Sequence, residues 1–180
     1  MIEDEELELF NLWMSRPEDE YVDNGRIIKH SDVYWIFYID KSKESELDPD
    51  RCGKWMYFFA EENRDHADEL CRKAVTGGVC IEAKYSTEYQ SRQIGDDRGL
   101  VCLYLNGDDI DTHRRVIRFM LENRMIQKTK TGRYYNMPFK YDSQTKAGEY
   151  RDTGFKAQLR LSDLIDLYTG EWIYSKDKNK

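Results

Sequence analysis

Residues 54–85, KWMYFFAEENRDHADELCRKAVTGGVCIEAKY, decide the fold class of this chain, because their hydrophobic period changes twice. Lys54–Ala60 is apolar or aromatic at nearly every position, which is typical of a strand with two apolar faces. Over Glu61–Val75 the apolar residues recur every three to four positions, which predicts a helix that the Gly77-Gly78 pair ends. Val79–Tyr85 then alternates, so this strand should turn Lys84 away from its apolar side.

Strand-like and helix-like patterns of apolar residues recur along the rest of the chain. They predict a helix over residues 3–14 that ends at Arg16 and Pro17, four further strands, and a helix from Asp109 to about Arg124. The four strands are Val33–Ile39, Leu100–Leu105, Arg133–Tyr141 and Phe155–Leu161. The buried stripe expected on the last helix comprises Val116, Ile117, Met120 and Leu121. Residues 17–31 are expected to be polar with a turn at Asn24-Gly25, and residues 86–98 to be a polar loop.

This order of elements, α-β-β-α-β-β-α-β-β, predicts an α+β fold. We expect a single curved, mainly antiparallel sheet with helices packed on one face. One domain should span residues 1–174, and residues 175–180 should form a charged flexible tail.

Composition excludes several classes of protein. The chain has 180 residues, with 28 Lys and Arg against 35 Asp and Glu, so its net charge of −7 argues against non-specific DNA binding. The start of the sequence lacks a basic, apolar secretion signal, and no run approaches a membrane span, so we expect a cytoplasmic protein with no membrane contact. The four cysteines form no CxxC pair and should be reduced, buried thiols. The three histidines are far apart, so we predict no metal site, and no cofactor either.

Basic residues are the clearest candidates for a binding site in this sequence. Lys140 lies on the opposite parity from Met137 and Phe139, much as Lys84 does on its own strand. With Arg92 and Lys54 they could line a pocket for a phosphate or carboxylate, although a solvated sheet face would carry the same pattern. Aromatic residues make up 13% of the chain, and rings on strands either stack on bases or fill a core. No catalytic residue is assigned.

Four segments resemble the basophilic-leukaemia-expressed protein family. They are residues 53–58 (GKWMYF), 83–84 (AK), 100–104 (LVCLY) followed by the acid-capped helix 108–123, and 139–150 (FKYDSQTKAGEY). The resemblance implies a fold similar to that of the cap-binding translation initiation factor. Cap binders stack a methylated guanine between two tryptophans, for which Trp35 and Trp55 are the candidates here, and hold phosphates with basic residues. Some family members are described as phosphothreonine lyases, in which Lys84 would be the base.

We therefore predict a small cytoplasmic binding module that holds a nucleotide, an RNA end or a phosphorylated ligand such as a phosphopeptide on a concave sheet face. Two alternatives stay open. One is a lyase-like, phosphate-directed enzyme with Lys84 as base, and the other is an acidic phage or mobile-element protein that binds and blocks a host protein. The candidate ligand-binding residues are Lys54, Trp55, Lys84, Arg92, Lys140, Asp142, Thr145 and Tyr150.

Overall fold

A computed structural model describes residues 4–14, 19–150 and 152–175 of the chain. The helices are α1 (Asp4–Met14), α2 (Arg64–Thr76), α3 (Glu88–Ile94), α4 (Ile110–Glu122) and α5 (Asp142–Lys146). The strands are β1 (Glu20–Val22), β2 (Ile27–Ser31), β3 (Trp35–Asp40), β4 (Cys52–Ala60), β5 (Glu82–Ser86), β6 (Arg98–Asn106), β7 (Pro138–Tyr141) and β8 (Leu159–Arg160). None of the helices in the described ranges is long and apolar enough to cross a membrane.

The strands form one open antiparallel sheet in the order β1-β2-β3-β5-β6-β4-β7-β8. The predicted α+β class and the mainly antiparallel sheet are confirmed. Although β3 and β4 are consecutive along the chain, β5 and β6 lie between them, so they do not form a hairpin. The described chain divides into two compact units. Unit 1 runs to Glu46 and includes Phe58–Leu103, whereas unit 2 consists of Leu47–Tyr57 and the described residues from Tyr104 onward.

Two segments predicted as irregular contain regular structure. Residues 17–31 include the β1–β2 hairpin, whose turn has positive φ at Asp23, Asn24 and Gly25. The turn was predicted, but its strands are only three and five residues long, too short to show an apolar period. The predicted loop at residues 86–98 contains α3, where the Thr87 hydroxyl accepts a hydrogen bond from the Gln90 backbone N–H. Only Ser91 of this helix is buried, so the sequence had no apolar stripe to indicate it.

Unit 1 is built on α2, which packs against β3 and β5. The four residues predicted on its apolar face, Ala67, Leu70, Cys71 and Ala74, are all buried. Asp68 on this helix accepts hydrogen bonds from the hydroxyls of Tyr38 and Tyr85, each over 2.9 Å. Because successive side chains of a strand point to opposite faces, Lys84 lies on the face away from α2, as predicted. The four cysteines are buried and unbridged, also as predicted.

Unit 2 has an aromatic core on the face of β4 and β7 that carries Trp55 and Phe139. Trp55 is 1% exposed, and its ring packs at 5.4 Å, centroid to centroid, from Phe139. Three of the four residues predicted on the buried stripe of α4 are buried, namely Val116, Ile117 and Met120. Leu121 is only partly buried, so its place in that stripe was wrong: its side chain lines an open cavity on α4. The predicted helix end at Arg16 and Pro17, and residues 176–180 of the predicted tail, lie outside the described residues.

Candidate functional site

The pairing of β4 with β7 sets two lysines opposite each other. Gly53 faces Tyr141 and Lys54 faces Lys140 in this antiparallel register. Gly53 makes the close approach possible, because a Cβ at this position would lie 2.6 Å from the Lys140 carbonyl oxygen and from a ring carbon of Phe139. Directly opposed residues of an antiparallel pair have Cα atoms roughly 4.5–5.5 Å apart, so both lysine side chains leave the sheet on the same face. Alternation along β4 turns Trp55 to the other face.

Lys54 is 7% exposed and is held by the helix that follows β7. Its Nζ donates to Asp142 Oδ1 over 2.7 Å and to Thr145 Oγ1 over 3.1 Å. Asp142 and Thr145 are three positions apart on α5, so they lie on one side of that helix. The Lys54 Nζ also lies 5.4 Å from the centroid of the Tyr104 ring. The charge of Lys54 is therefore balanced by a carboxylate in direct contact.

Lys140 is equally buried, at 7% exposed, but its surroundings are aromatic. Its Nζ lies 4.1 Å from the ring centroid of Tyr150 and 5.2 Å from that of Phe155. No carboxylate among the described residues lies within ion-pair distance of this amine. Burial, together with the nearby charge of Lys54, lowers the pKa of Lys140, and the charge of Glu149 partly opposes this effect. The site therefore has two ammonium groups, and its one carboxylate in direct contact, that of Asp142, is paired with Lys54.

Five of the eight candidate residues meet at this site: Lys54, Lys140, Asp142, Thr145 and Tyr150. Trp55 belongs to the core of unit 2 instead, where its Nε1–H donates to His113 Nδ1 over 3.0 Å. Sequence reasoning missed Phe155, which was assigned only to an alternating strand. Its ring reaches Lys140 through the chain reversal after α5, and no local pattern signals such a contact.

The other two candidates belong to unit 1. The Lys84 Nζ lies 4.0 Å from the ring centroid of Trp35 and 5.3 Å from that of Phe37. Arg92 is exposed on α3, where its Nη2 pairs with Glu88 Oε1 over 2.7 Å. A pocket shared with Lys140 stays a prediction for both residues, as does the role of Lys84 as a base.

His113 is fully buried in unit 2, and its hydrogen bonds define its proton. Nδ1 accepts from the Trp55 indole, and Nε2 lies 2.9 Å from the Gly107 carbonyl oxygen, which can only accept. The neutral ring with its proton on Nε2 satisfies both contacts. Burial lowers the pKa of His113, which also favours the neutral form. Within the described ranges, no group of three or more His, Cys, Asp or Glu side chains could hold a metal ion.

Comparison of the chain with protein-family models gives no match, and comparison with curated proteins gives no significant match. The resemblance to the basophilic-leukaemia-expressed family therefore stays a prediction carried by its four short segments. The function proposed for this chain consequently rests on the geometry around Lys54 and Lys140.

Proposed function

We propose that this protein is a binding module for a phosphorylated ligand whose phosphate is held by the Lys54–Lys140 pair. The observation that carries the proposal is the second ammonium group: Lys140 is buried opposite Lys54 and has no carboxylate in contact among the described residues. An uncompensated buried charge is costly, and proteins retain such groups mainly where they bind or react. A phosphate supplies the missing negative charge.

The surroundings of Lys140 favour a ligand with more than a phosphate group. Tyr150 is 53% exposed, so its ring can be reached from solvent while it contacts the Lys140 amine. An aromatic ring beside a phosphate-binding amine suits the base of a nucleotide, because bases stack on such rings. The predicted nucleotide or RNA end fits this arrangement, and a phosphopeptide would use the same phosphate contacts.

A binding titration tests the proposal. Inorganic phosphate, a nucleoside monophosphate and the matching nucleoside are titrated into the protein in a buffer free of phosphate and sulfate. We expect the monophosphate to bind more tightly than phosphate alone, and the nucleoside to bind most weakly. Replacing Lys140 with methionine should weaken phosphate binding by about tenfold or more, the cost of one charge-assisted hydrogen bond.

Lys128→Met is the matched control. The Lys128 amine also lies over a tyrosine ring, at 4.9 Å from the centroid of Tyr134, but the lysine is exposed, and the residue opposite it in an isolated antiparallel bridge is Tyr134 and not a second lysine. This variant should bind phosphate as the wild type does. Equal losses in both variants, or no saturable phosphate binding by the wild type, would overturn the proposal.

A further inference from the structure

The hydrogen-bond donors of Lys54 and Lys140 are only partly used within the protein. A protonated lysine carries three N–H groups. Lys54 directs one of them to Asp142 and one to Thr145, which leaves one for a ligand. Lys140 contacts two aromatic rings, and it donates no hydrogen bond to a residue in the part of the chain that the structure describes. Both ammonium groups therefore have N–H groups that can donate to a phosphate.

Thr145 supplies a third donor at the same place. Its hydroxyl oxygen accepts the hydrogen bond from Lys54 over 3.1 Å, and its hydroxyl hydrogen is donated to none of the described residues. A hydroxyl group donates one hydrogen bond while it accepts others, so this hydrogen can be directed to an anion beside the Lys54 amine. Lys54 on β4, Lys140 on β7 and Thr145 on α5 can thus each donate to one phosphate group.

The number of donors distinguishes between two kinds of phosphate. A phosphomonoester, which is joined to its carrier through one oxygen, keeps three free acceptor oxygens. A phosphodiester keeps only two, because its second ester bond uses another oxygen. Three donor side chains therefore match the three free oxygens of a monoester, whereas a diester would leave one of the donors without an acceptor.

The burial of the two lysines favours the same kind of ligand. Lys54 and Lys140 are each 7% exposed, whereas Tyr150, whose ring centroid lies 4.1 Å from the Lys140 amine, is 53% exposed. Solvent therefore reaches the site on the side of Tyr150. A monoester can bring its phosphate to the buried amines from this side and leave its carrier outside. A diester continues from the phosphate in two directions, so its second ester group would displace protein atoms packed around the amines.

We infer, on the basis of the phosphate site proposed above, that the ligand is recognised through a terminal phosphomonoester and that Thr145 is the third phosphate-binding residue. A nucleotide or an oligonucleotide would bind through the phosphate at its end, and internal phosphodiesters would not enter the site. The net charge of −7 is consistent with this selectivity, because an acidic protein repels a long nucleic-acid backbone. Recognition of a terminal phosphate needs only the few donors of one buried site.

The test compares adenosine monophosphate with its methyl phosphodiester by calorimetric titration, in a buffer free of phosphate and sulfate. The dinucleotide adenylyl-adenosine, with and without a terminal phosphate, gives the same comparison within a short chain. We expect the two probes with a terminal phosphate to bind about tenfold or more tightly than the two without it.

Charge alone could favour the monoester at pH 7, because its second ionisation has a pKa of about 6 and the diester has no second ionisation. The comparison is therefore repeated at pH 5, where both probes carry close to one negative charge. The preference for the monoester should persist there at about threefold or more, since the third oxygen and the extra methyl group remain different between the probes.

Thr145→Val tests the third donor. It should weaken the binding of adenosine monophosphate by about threefold to tenfold and should reduce the preference over the methyl diester, because one phosphate oxygen loses its donor. Thr131→Val is the matched control, since it makes the same change at an exposed threonine whose hydroxyl contacts that of Thr129. This control should bind both probes as the wild type does. Equal weakening of both probes in Thr145→Val would overturn the role of Thr145.

The remaining outcomes separate the kind of phosphate from the phosphate site itself. If the monophosphate and its methyl diester bind equally well, and Lys140→Met weakens both, the phosphate site stands and recognition of a terminal monoester is overturned. A preference that disappears at pH 5 overturns it too, because charge alone would then account for the difference. Failure of adenosine monophosphate to bind saturably would overturn the phosphate site and its selectivity together.

Discussion

Methionine replacements of Lys54 and Lys140 should differ in their effect on stability, although the two lysines are equally buried and face each other across β4 and β7. Lys54→Met removes the hydrogen bonds to Asp142 and Thr145 and leaves a partly buried carboxylate without its cation. A charge-assisted hydrogen bond contributes about 1.5–3 kcal/mol. Because water can reach part of Asp142, we expect the free energy of unfolding to fall by about 2–3 kcal/mol.

Lys140→Met removes an ammonium group that the folded state disfavours, since burial and the charge of Lys54 lower its pKa. The variant loses cation–π contacts with Tyr150 and Phe155, each worth about 0.5–2 kcal/mol, and gains sulfur–aromatic contacts of about 0.3–1.5 kcal/mol. It also avoids the cost of burying a charge. We therefore expect stability within about 1 kcal/mol of the wild type, or above it.

Urea unfolding at pH 7, followed by tryptophan fluorescence in a buffer without phosphate or sulfate, measures both variants. With a urea dependence of about 2 kcal/mol per molar, the midpoint of Lys54→Met should lie about 1 M below that of Lys140→Met.

A lysine whose pKa is lowered on folding destabilises the protein at neutral pH and ceases to do so as it loses its proton. Raising the pH toward about 10.4, the ordinary lysine pKa, should therefore increase the stability of the wild type relative to Lys140→Met.

An equal loss of stability in Lys140→Met and Lys54→Met would contradict this prediction. In that case the Lys140 amine would stabilise the fold, and its burial would no longer argue for a ligand. Added phosphate gives a second check on the same samples. At ten times its dissociation constant, a ligand of the native state adds about 1.4 kcal/mol to the free energy of unfolding. We expect this increase in the wild type and an increase of about 0.4 kcal/mol or less in Lys140→Met, which should bind phosphate about tenfold or more weakly.

Three further predictions concern the framework of the site. Gly53→Ala should lower stability by about 1–3 kcal/mol, because its new methyl group would overlap the β7 backbone, and a urea midpoint equal to that of the wild type would contradict this. Burial lowers the pKa of His113, so the unfolded chain takes up the proton first, and the free energy of unfolding should fall as the pH drops below about 6.5. A pH series of urea midpoints in the wild type and in His113→Gln measures this fall. Identical profiles for the two proteins would argue against it. Met120→Ala should lose about 2–5 kcal/mol, whereas Leu121→Ala, at the open cavity, should lose less, and thermal unfolding of the two variants should show the larger loss for Met120.

Local patterns in the sequence determined the regular elements that carry an apolar period and the direction of their side chains. The change of period after Ala60 predicted the strand and helix now seen as β4 and α2, and the buried face of α2 follows its apolar residues. Alternation also placed Lys84 on the face away from α2. Such features depend only on residues a few positions apart, because the periods of the helix and the strand are local properties of the backbone.

Only the tertiary structure decided which residues meet. Lys140 faces Lys54 because Gly53 lets β7 approach β4, and that register joins residues far apart in the chain. Asp142 and Thr145 reach Lys54 from α5, a helix of five residues that is too short to show a period. Trp55 enters the core because His113, 58 positions later, supplies an acceptor for its indole N–H. These contacts depend on strand register and on packing between distant segments, which the spacing of residues along one segment does not encode.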